Sequence, residues 1–389
     1  MTMDNAPDFP LALYVHWPWC KAKCPYCDFN SRVPTGEHDH KQWADAYVKE
    51  MEHFVAISAK RPLSSIFFGG GTPSTMSPQT VGAVIEGAKR LWGFNNDIEI
   101  TLEANPTSAT KQLFADFKDA GINRVSIGAQ SFNPAHLSFL GREHSADHAK
   151  STIEDGAQVF SRVSFDLIYA LPGQSPTQWE KELKSALDWA GGLNIGHISI
   201  YQLGIEPGTP FFRDGVKGAP EDDSVLMFDL TQQLTSEYGL PAYEISNHGR
   251  PEQISRHNMV YWQGGEYVGI GPGAHGRTGR GANRQAHYQI ADPKSWLEKI
   301  NHSGHGTAKS KSVPKADAIE ERILTGLRII GGVERKSFEL DFSMKLEKAL
   351  NNNGLLQMLD LKLIEIDDDG LRATTEARIK LNSVIERLL

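Results

Sequence analysis

The stretch LALYVHWPWCKAKCPYCDF, residues 11–29, starts as a short apolar run and ends in a cysteine cluster. LALYVHW has the composition of a strand in a sheet covered on both faces. Cys20, Cys24 and Cys27, the only cysteines among 389 residues, follow in the next ten positions. Three thiols cannot all pair, the Cys-x-x-x-Cys-x-x-Cys loop is too short for useful bridging, and no other cysteine exists to receive a bridge. Metal is the better reading than disulfide.

Outward from this stretch, SSIFFGG, DIEITLEAN, RVSIGAQS, RVSFDLIYALPG and HISIYQLGI are further apolar runs separated by amphipathic segments. This alternation from Leu11 to about Ile205 predicts six βα units within residues 1–210. SPQTVGAVIEGAKRLWG reads as a helix with Ser77 as N-cap, Pro78 in the first turn and Gly93 as its stop, and TKQLFADFKDAG stops at Gly121. Right-handed crossovers then give a parallel sheet, either doubly wound or curled into a partial barrel. Residues 211–301 read as an extension: a helix EDDSVLMFDLTQQLTSEYG, a strand AYEIS and a Gly-rich loop WQGGEYVGIGPGAHGRTGRG. Residues 302–315 read as a linker. Residues 316–389 read as a compact tail of winged-helix type, with helices at AIEERILTGLRII and SMKLEKALNN and a hairpin at LIEIDDDGLRATT.

The composition, 40% hydrophobic and 23% charged, is that of a globular protein. A formal net charge of -8 argues against a general nucleic-acid surface. The acidic tail residues Glu339, Asp341, Asp360, Glu365 and Asp367 to Asp369 would also repel phosphates. No stretch approaches the roughly 20 apolar residues of a membrane span, and MTMDNAPDFPLALYV has no basic segment followed by an apolar core. A cytoplasmic, reducing setting is expected, which suits thiols kept free for metal.

In a parallel α/β architecture ligands bind at the carboxyl ends of the strands, and here those ends are polar. The second run ends in Gly69, Gly70, Gly71, Thr72 and Pro73, the third in Glu103, Ala104, Asn105 and Pro106, the fourth in Gln130 and Ser131, and Asp166 interrupts the fifth. Buried carboxylates need donors, which a ligand bearing an ammonium or ribose hydroxyls would supply. The cysteines admit two readings: a structural Cys3His zinc site completed by His16, or an iron–sulfur cluster that leaves one iron open.

Cys20-x3-Cys24-x2-Cys27 with Tyr26 before the last cysteine resembles the signature of the radical S-adenosylmethionine (SAM) superfamily. YVHWPWC, FFGGGTPS, LEANP, VSIGAQSF, LGREH and FDLIYALPGQ, in this order, resemble the oxygen-independent coproporphyrinogen oxidases and their relatives. The resemblance covers nearly the whole chain. It implies a partial (β/α)6 barrel with a smaller C-terminal α/β extension, and a [4Fe–4S] cluster on Cys20, Cys24 and Cys27. It also implies SAM held by Tyr14, Gly70, Gly71, Thr72, Glu103, Gln130, Arg142 and Asp166, with reductive cleavage to a 5′-deoxyadenosyl radical available in principle.

Two departures separate this chain from the oxidases. They carry a further cysteine two places after the third, where Phe29 stands here, and a longer N-terminal arm, whereas this chain reaches its first strand at Leu11. Both departures fit the HemW-type heme chaperones, as does RHNMVYW, residues 256–262, which matches their HNxxYW motif. The expected function is heme binding and transfer to acceptor apoproteins, respiratory ones among them, with an electron donor to the cluster; the alternative is oxidative decarboxylation of coproporphyrinogen III. His257 is the candidate heme ligand, with an anchoring role as its alternative, and His248 and His275 are unranked others. Tyr261 and Trp262 would cover the porphyrin face. A homodimer is left open.

Overall fold

The computed structural model describes residues 9–58 and 60–389. The reading of the first residues as lacking a leader falls mostly on residues 1–8, outside this range. Strands β1 (Leu11–Trp17), β2 (Leu63–Gly70), β3 (Phe94–Ala104), β4 (Arg124–Gln130), β5 (Val163–Tyr169) and β6 (His197–Gln202) pair in parallel in chain order. Strict chain order has no point where the winding reverses, so right-handed crossovers place the helices on one face and the sheet curls. This selects the partial barrel over the doubly wound sheet.

The helices sit where their punctuation placed them. Ser77 accepts the Thr80 amide at 3.1 Å to open the helix Pro78–Trp92, and Gly93 closes it. The helix His40–Val55 buries Trp43, Tyr47, Met51 and Phe54 in the same core as Leu11, Leu13, Val15 and Trp17 of β1. That packing fixes β1, and β1 in turn aims the cysteine loop.

The sheet continues past both ends of this barrel. β7 (Asn247–Gly249) runs antiparallel to β6. β8 (Glu266–Ile270) is parallel to β1, and β9 (His275–Thr278), β10 (Gln285–Gln289) and β11 (Thr307–Ser312) follow antiparallel, giving eleven strands in one sheet. Three expectations are therefore corrected. The Gly-rich stretch holds β8 and β9, the linker at 302–315 holds β11, and AYEIS gives way to β7 immediately after it. The causes are local: EYVGI is a short buried run hidden among glycines, and TAKSKS has five exposed residues of six and so shows no apolar alternation. An edge strand bearing Lys309 and Lys311 resists further pairing, which is a reason for its polarity.

The C-terminal part holds the antiparallel strands β12 (Val333–Glu334), β13 (Ile364–Ile366) and β14 (Gly370–Ala373) in the order β12-β14-β13, packed with the helices Lys315–Gly326, Arg335–Phe342, Asn352–Asp360 and Leu381–Leu388. The hairpin is as expected; SMKLEKALNN forms one 3-10 turn, Leu346–Ala349, in place of a longer helix. Its core includes Ala286 of β10, so this part is continuous with the large sheet. A largely buried Arg280–Asp341 ion pair at 2.8 Å, and Arg328 lying 4.5 Å from the Trp262 ring centre, fasten the two together.

Candidate cofactor-binding site

The carboxyl ends of β1–β6 open on a cavity of about 450 Å³ with Cys20, Cys24 and Cys27 on one wall. The Gly-rich end of β2 builds that wall. Gly71 N donates to Trp17 O at 2.6 Å and Thr72 N to Trp19 O at 2.8 Å, pinning the chain just before Cys20. A Cβ on Gly71 would stand 2.7 Å from Trp19 O, so only glycine lets the two segments approach this closely. Cys20 N donates to Arg32 O at 2.9 Å and Arg32 N to Pro18 O at 2.8 Å, which closes the loop on itself.

All three thiols are free. Burial pushes the Cys20 and Cys27 thiols up, so holding them as thiolates calls for a compensating cation at the site. Arg142 Nη1 donates to Cys24 Sγ at 3.2 Å and Nη2 to Gly128 O at 2.8 Å. The zinc reading fits less well. His16 is tied at both ring nitrogens, accepting from Tyr14 OH at 3.0 Å and donating to Asn30 O at 2.9 Å. Among the described residues no three His, Cys, Asp or Glu groups converge on a single-ion position. A polynuclear cluster is gripped through separate irons, and its thiolates stand farther apart than those around one tetrahedral ion.

Facing the thiols are the residues expected to hold SAM. Gly70, Gly71, Thr72, Glu103, Gln130, Arg142 and Asp166 all line this cavity; Tyr14 does not, and lines the neighbouring one. Burial, reinforced by Asp166, pushes Glu103 up to about 8, and burial pushes Asp166 up to about 6. Ser126 Oγ donates to Asp166 at 3.2 Å, a partner not singled out in the sequence. Gln130 ends β4 with φ of +71°, beyond a register shift against β5, so the backbone is held in a costly conformation where the side chain enters the cavity. Two half-buried acids short of cations, an Arg142 Nε without a partner among the described residues, and three thiols lining the same cavity fit a cationic amino acid derivative lying against a cluster.

A second cavity of about 600 Å³ adjoins the first, and Phe29, Gly70 and Glu103 line both. Its other walls come from Tyr261, Trp262 and Tyr267, from Arg277, Arg284 and Arg322, and from Asp341 and Phe342 of the C-terminal part. Sequence reasoning missed these arginines, although RTGRGANR after β8 is a visible basic cluster.

The histidines separate clearly. His257 is 1% exposed, with Nδ1 2.9 Å from Ser65 Oγ and Nε2 2.6 Å from Tyr261 OH, while its backbone N donates to Glu99 at 3.0 Å. Burial pulls it down to about 3, and it lines a small pocket of about 170 Å³, not the larger cavity. This is the geometry of an anchor for the helix Arg256–Trp262; ligation of iron would require one of these bonds to break. His248 is fully buried on β7. His275 alone of the three lines the larger cavity.

Residues 14–186 match the Radical SAM superfamily and residues 313–379 the HemN C-terminal domain. The chain is 37% identical over 390 residues to radical S-adenosyl methionine domain-containing protein 1, mitochondrial, of Danio rerio, covering 97% of this chain and 86% of that one. It is 34% identical over 389 residues to the heme chaperone HemW of Haemophilus influenzae, covering 98% of each. This chain belongs to the radical SAM superfamily, in the HemW branch of its coproporphyrinogen oxidase-like family. Membership implies a [4Fe–4S] cluster and SAM. In fold it is similar to the radical SAM enzyme coproporphyrinogen III oxidase (HemN) of Escherichia coli, with a TM-score of 0.81 and 20% identity, over 99% of this chain and 91% of that one. No helix among the described residues is long and apolar enough to cross a membrane.

Proposed function

We propose that this protein is a heme chaperone on a radical-SAM scaffold, which binds heme and passes it to an acceptor apoprotein. The observation that carries the reading is the adjacency of the two cavities. One has three free thiols together with two half-buried acids, and the other, sharing Phe29, Gly70 and Glu103 with it, is aromatic and arginine-rich. The relatives named as heme chaperones support it. Cys20, Cys24 and Cys27 would hold the cluster, Glu103 would accept from the ammonium of SAM, Asp166 from its ribose hydroxyls, and Arg142 would turn from Cys24 toward its carboxylate. A cluster with SAM supplies one-electron chemistry when bound.

The protein residues themselves position and insulate. Gly71 and Thr72 fix the thiol loop, Phe29 stands between the two sites, and Tyr261 and Trp262 offer aromatic faces for a flat ligand. Free thiols at the cavity fit a reducing compartment, and we place the protein in the cytoplasm on that ground. The test is spectroscopic. Full-length protein titrated with heme should develop a saturable Soret band and then lose it to an added apo-acceptor; no saturable band refutes the reading.

A further inference from the structure

The larger cavity carries more positive charge than its own residues neutralise. Arg277 and Arg284 share a single carboxylate, Glu321, at 3.0 and 3.2 Å, and Arg280 beside them takes Asp341 at 2.8 Å. Arg322 has no such partner. It is 5% exposed, and among the described residues its Nε and Nη1 are buried without a hydrogen bond. Its side chain is packed against two glycines, where a Cβ on Gly264 would lie 2.6 Å from Cδ and one on Gly326 2.5 Å from Nη1. Of the charged residues lining the cavity, Arg277, Arg284 and Arg322 stand with Glu321, Asp341 and Glu103; Asp341 is taken by Arg280 from outside the lining, and Glu103, pushed up to about 8, is largely protonated at neutral pH, which leaves two guanidiniums without a carboxylate. Burial pulls Arg322 down to about 10, which still leaves it charged at neutral pH. An uncompensated buried guanidinium is costly, and a bound carboxylate, with the planar geometry guanidinium prefers, is the ligand that removes the cost.

His275 opens β9 and lines the same cavity. It makes no side-chain hydrogen bond among the described residues, and Tyr288 packs edge-on at 4.7 Å between ring centres. Partial desolvation of this otherwise exposed ring, with Arg277 nearby, holds it below its ordinary range and therefore neutral at pH 7, the form that donates a lone pair to a metal. The cavity volume of about 600 Å³ lies in the range of ligand sites for flat molecules of several rings. Its aromatic lining and its excess of two charges complement a planar macrocycle with two carboxylates.

We propose that this cavity seats the heme, with its two propionates at the arginine wall around Arg322 and its iron facing His275. The proposal rests on the heme-binding reading and makes it specific: His257 anchors a helix, and His275 meets the iron.

The test uses the full-length chain, heme, and heme dimethyl ester, in which both carboxylates are masked. His275→Ala, a change at an exposed side chain, should shift the Soret band and weaken heme by about tenfold, and added imidazole should restore the band. Wild type should bind the dimethyl ester about 10–100-fold more weakly than heme, and Arg322→Gln should erase most of that difference. The ester comparison needs no variant and so survives a folding failure of Arg322→Gln. If wild type takes up heme yet His275→Ala keeps its spectrum and affinity, or the ester binds as well as heme, the seating is wrong while the chaperone reading stands. No heme uptake by wild type overturns both.

Discussion

The thiol-lined cavity and the arginine-lined cavity share a wall and are built in opposite ways. The first collects short motifs that each end one strand of an ordered parallel sheet, so its residues are brought together by a topology that repeats from β1 to β6. The second draws on residues from Tyr14 to Phe342, which meet only because β8–β11 extend the sheet and the C-terminal part docks against it. The difference teaches where chemistry can be read directly and where it must be assembled. A repeating architecture places strand-end residues in advance, whereas a seam between unlike parts has no period to announce it.

The comparison is broken most severely at the thiols. Cys24→Ser should abolish stable cluster loading after anaerobic reconstitution, taking bound iron from about four per chain to near zero while leaving heme uptake in place. Equal loss of heme would show that the two cavities are not separable sites. Gly71→Ala comes next. Its Cβ meets Trp19 O, so the cysteine loop must shift, with about 1–3 kcal/mol of destabilisation in urea melts and a several-fold loss of bound iron.

Glu103 sharpens the comparison, since it lines both cavities. With its carboxyl pushed up to about 8, the acid is neutral below that pH and must lose its proton to receive an ammonium. SAM affinity should therefore rise with pH, by up to about tenfold per unit between pH 6 and 8, and level off above. Glu103→Gln should weaken SAM by about 10–100-fold at pH 8 and flatten the profile; a steep residual slope would assign the titration to another group. The smallest effect belongs at the edge of the sheet. Lys309→Val with Lys311→Val should leave stability within about 0.5 kcal/mol yet promote concentration-dependent association visible by light scattering, because the charges that guard β11 are gone.

What could be read from the sequence follows the same division. β1 through β6 were legible because each is a short apolar run bounded by a helix with a visible cap, and Ser77 and Gly93 bracket their helix as the residue types demand. Cys20, Cys24, Cys27, Glu103 and Asp166 were legible because polar residues at the ends of buried strands require a reason. β8 and β11 were not, since one lies among glycines and the other is polar along its length. Arg322 was invisible for a different cause: an arginine in an amphipathic helix reads as a solvated face, and only tertiary packing shows that it is buried beside Gly264 and Gly326. The motif RHNMVYW was legible, but the sequence left the role of His257 open between iron ligand and anchor, because burial and hydrogen-bond partners are set by tertiary packing. His257 fastens the helix to β2 and β3 through Ser65 and Glu99, while Tyr261 and Trp262 face the cavity.

The most direct test of the account is to supply the anaerobically reconstituted protein with SAM, dithionite and either coproporphyrinogen III or heme, following porphyrin products, 5′-deoxyadenosine and the Soret band together. The account predicts saturable heme binding and no decarboxylated porphyrin. Protoporphyrinogen formed in step with 5′-deoxyadenosine would contradict it, and would make the arginine-lined cavity the seat of a substrate in place of a cargo.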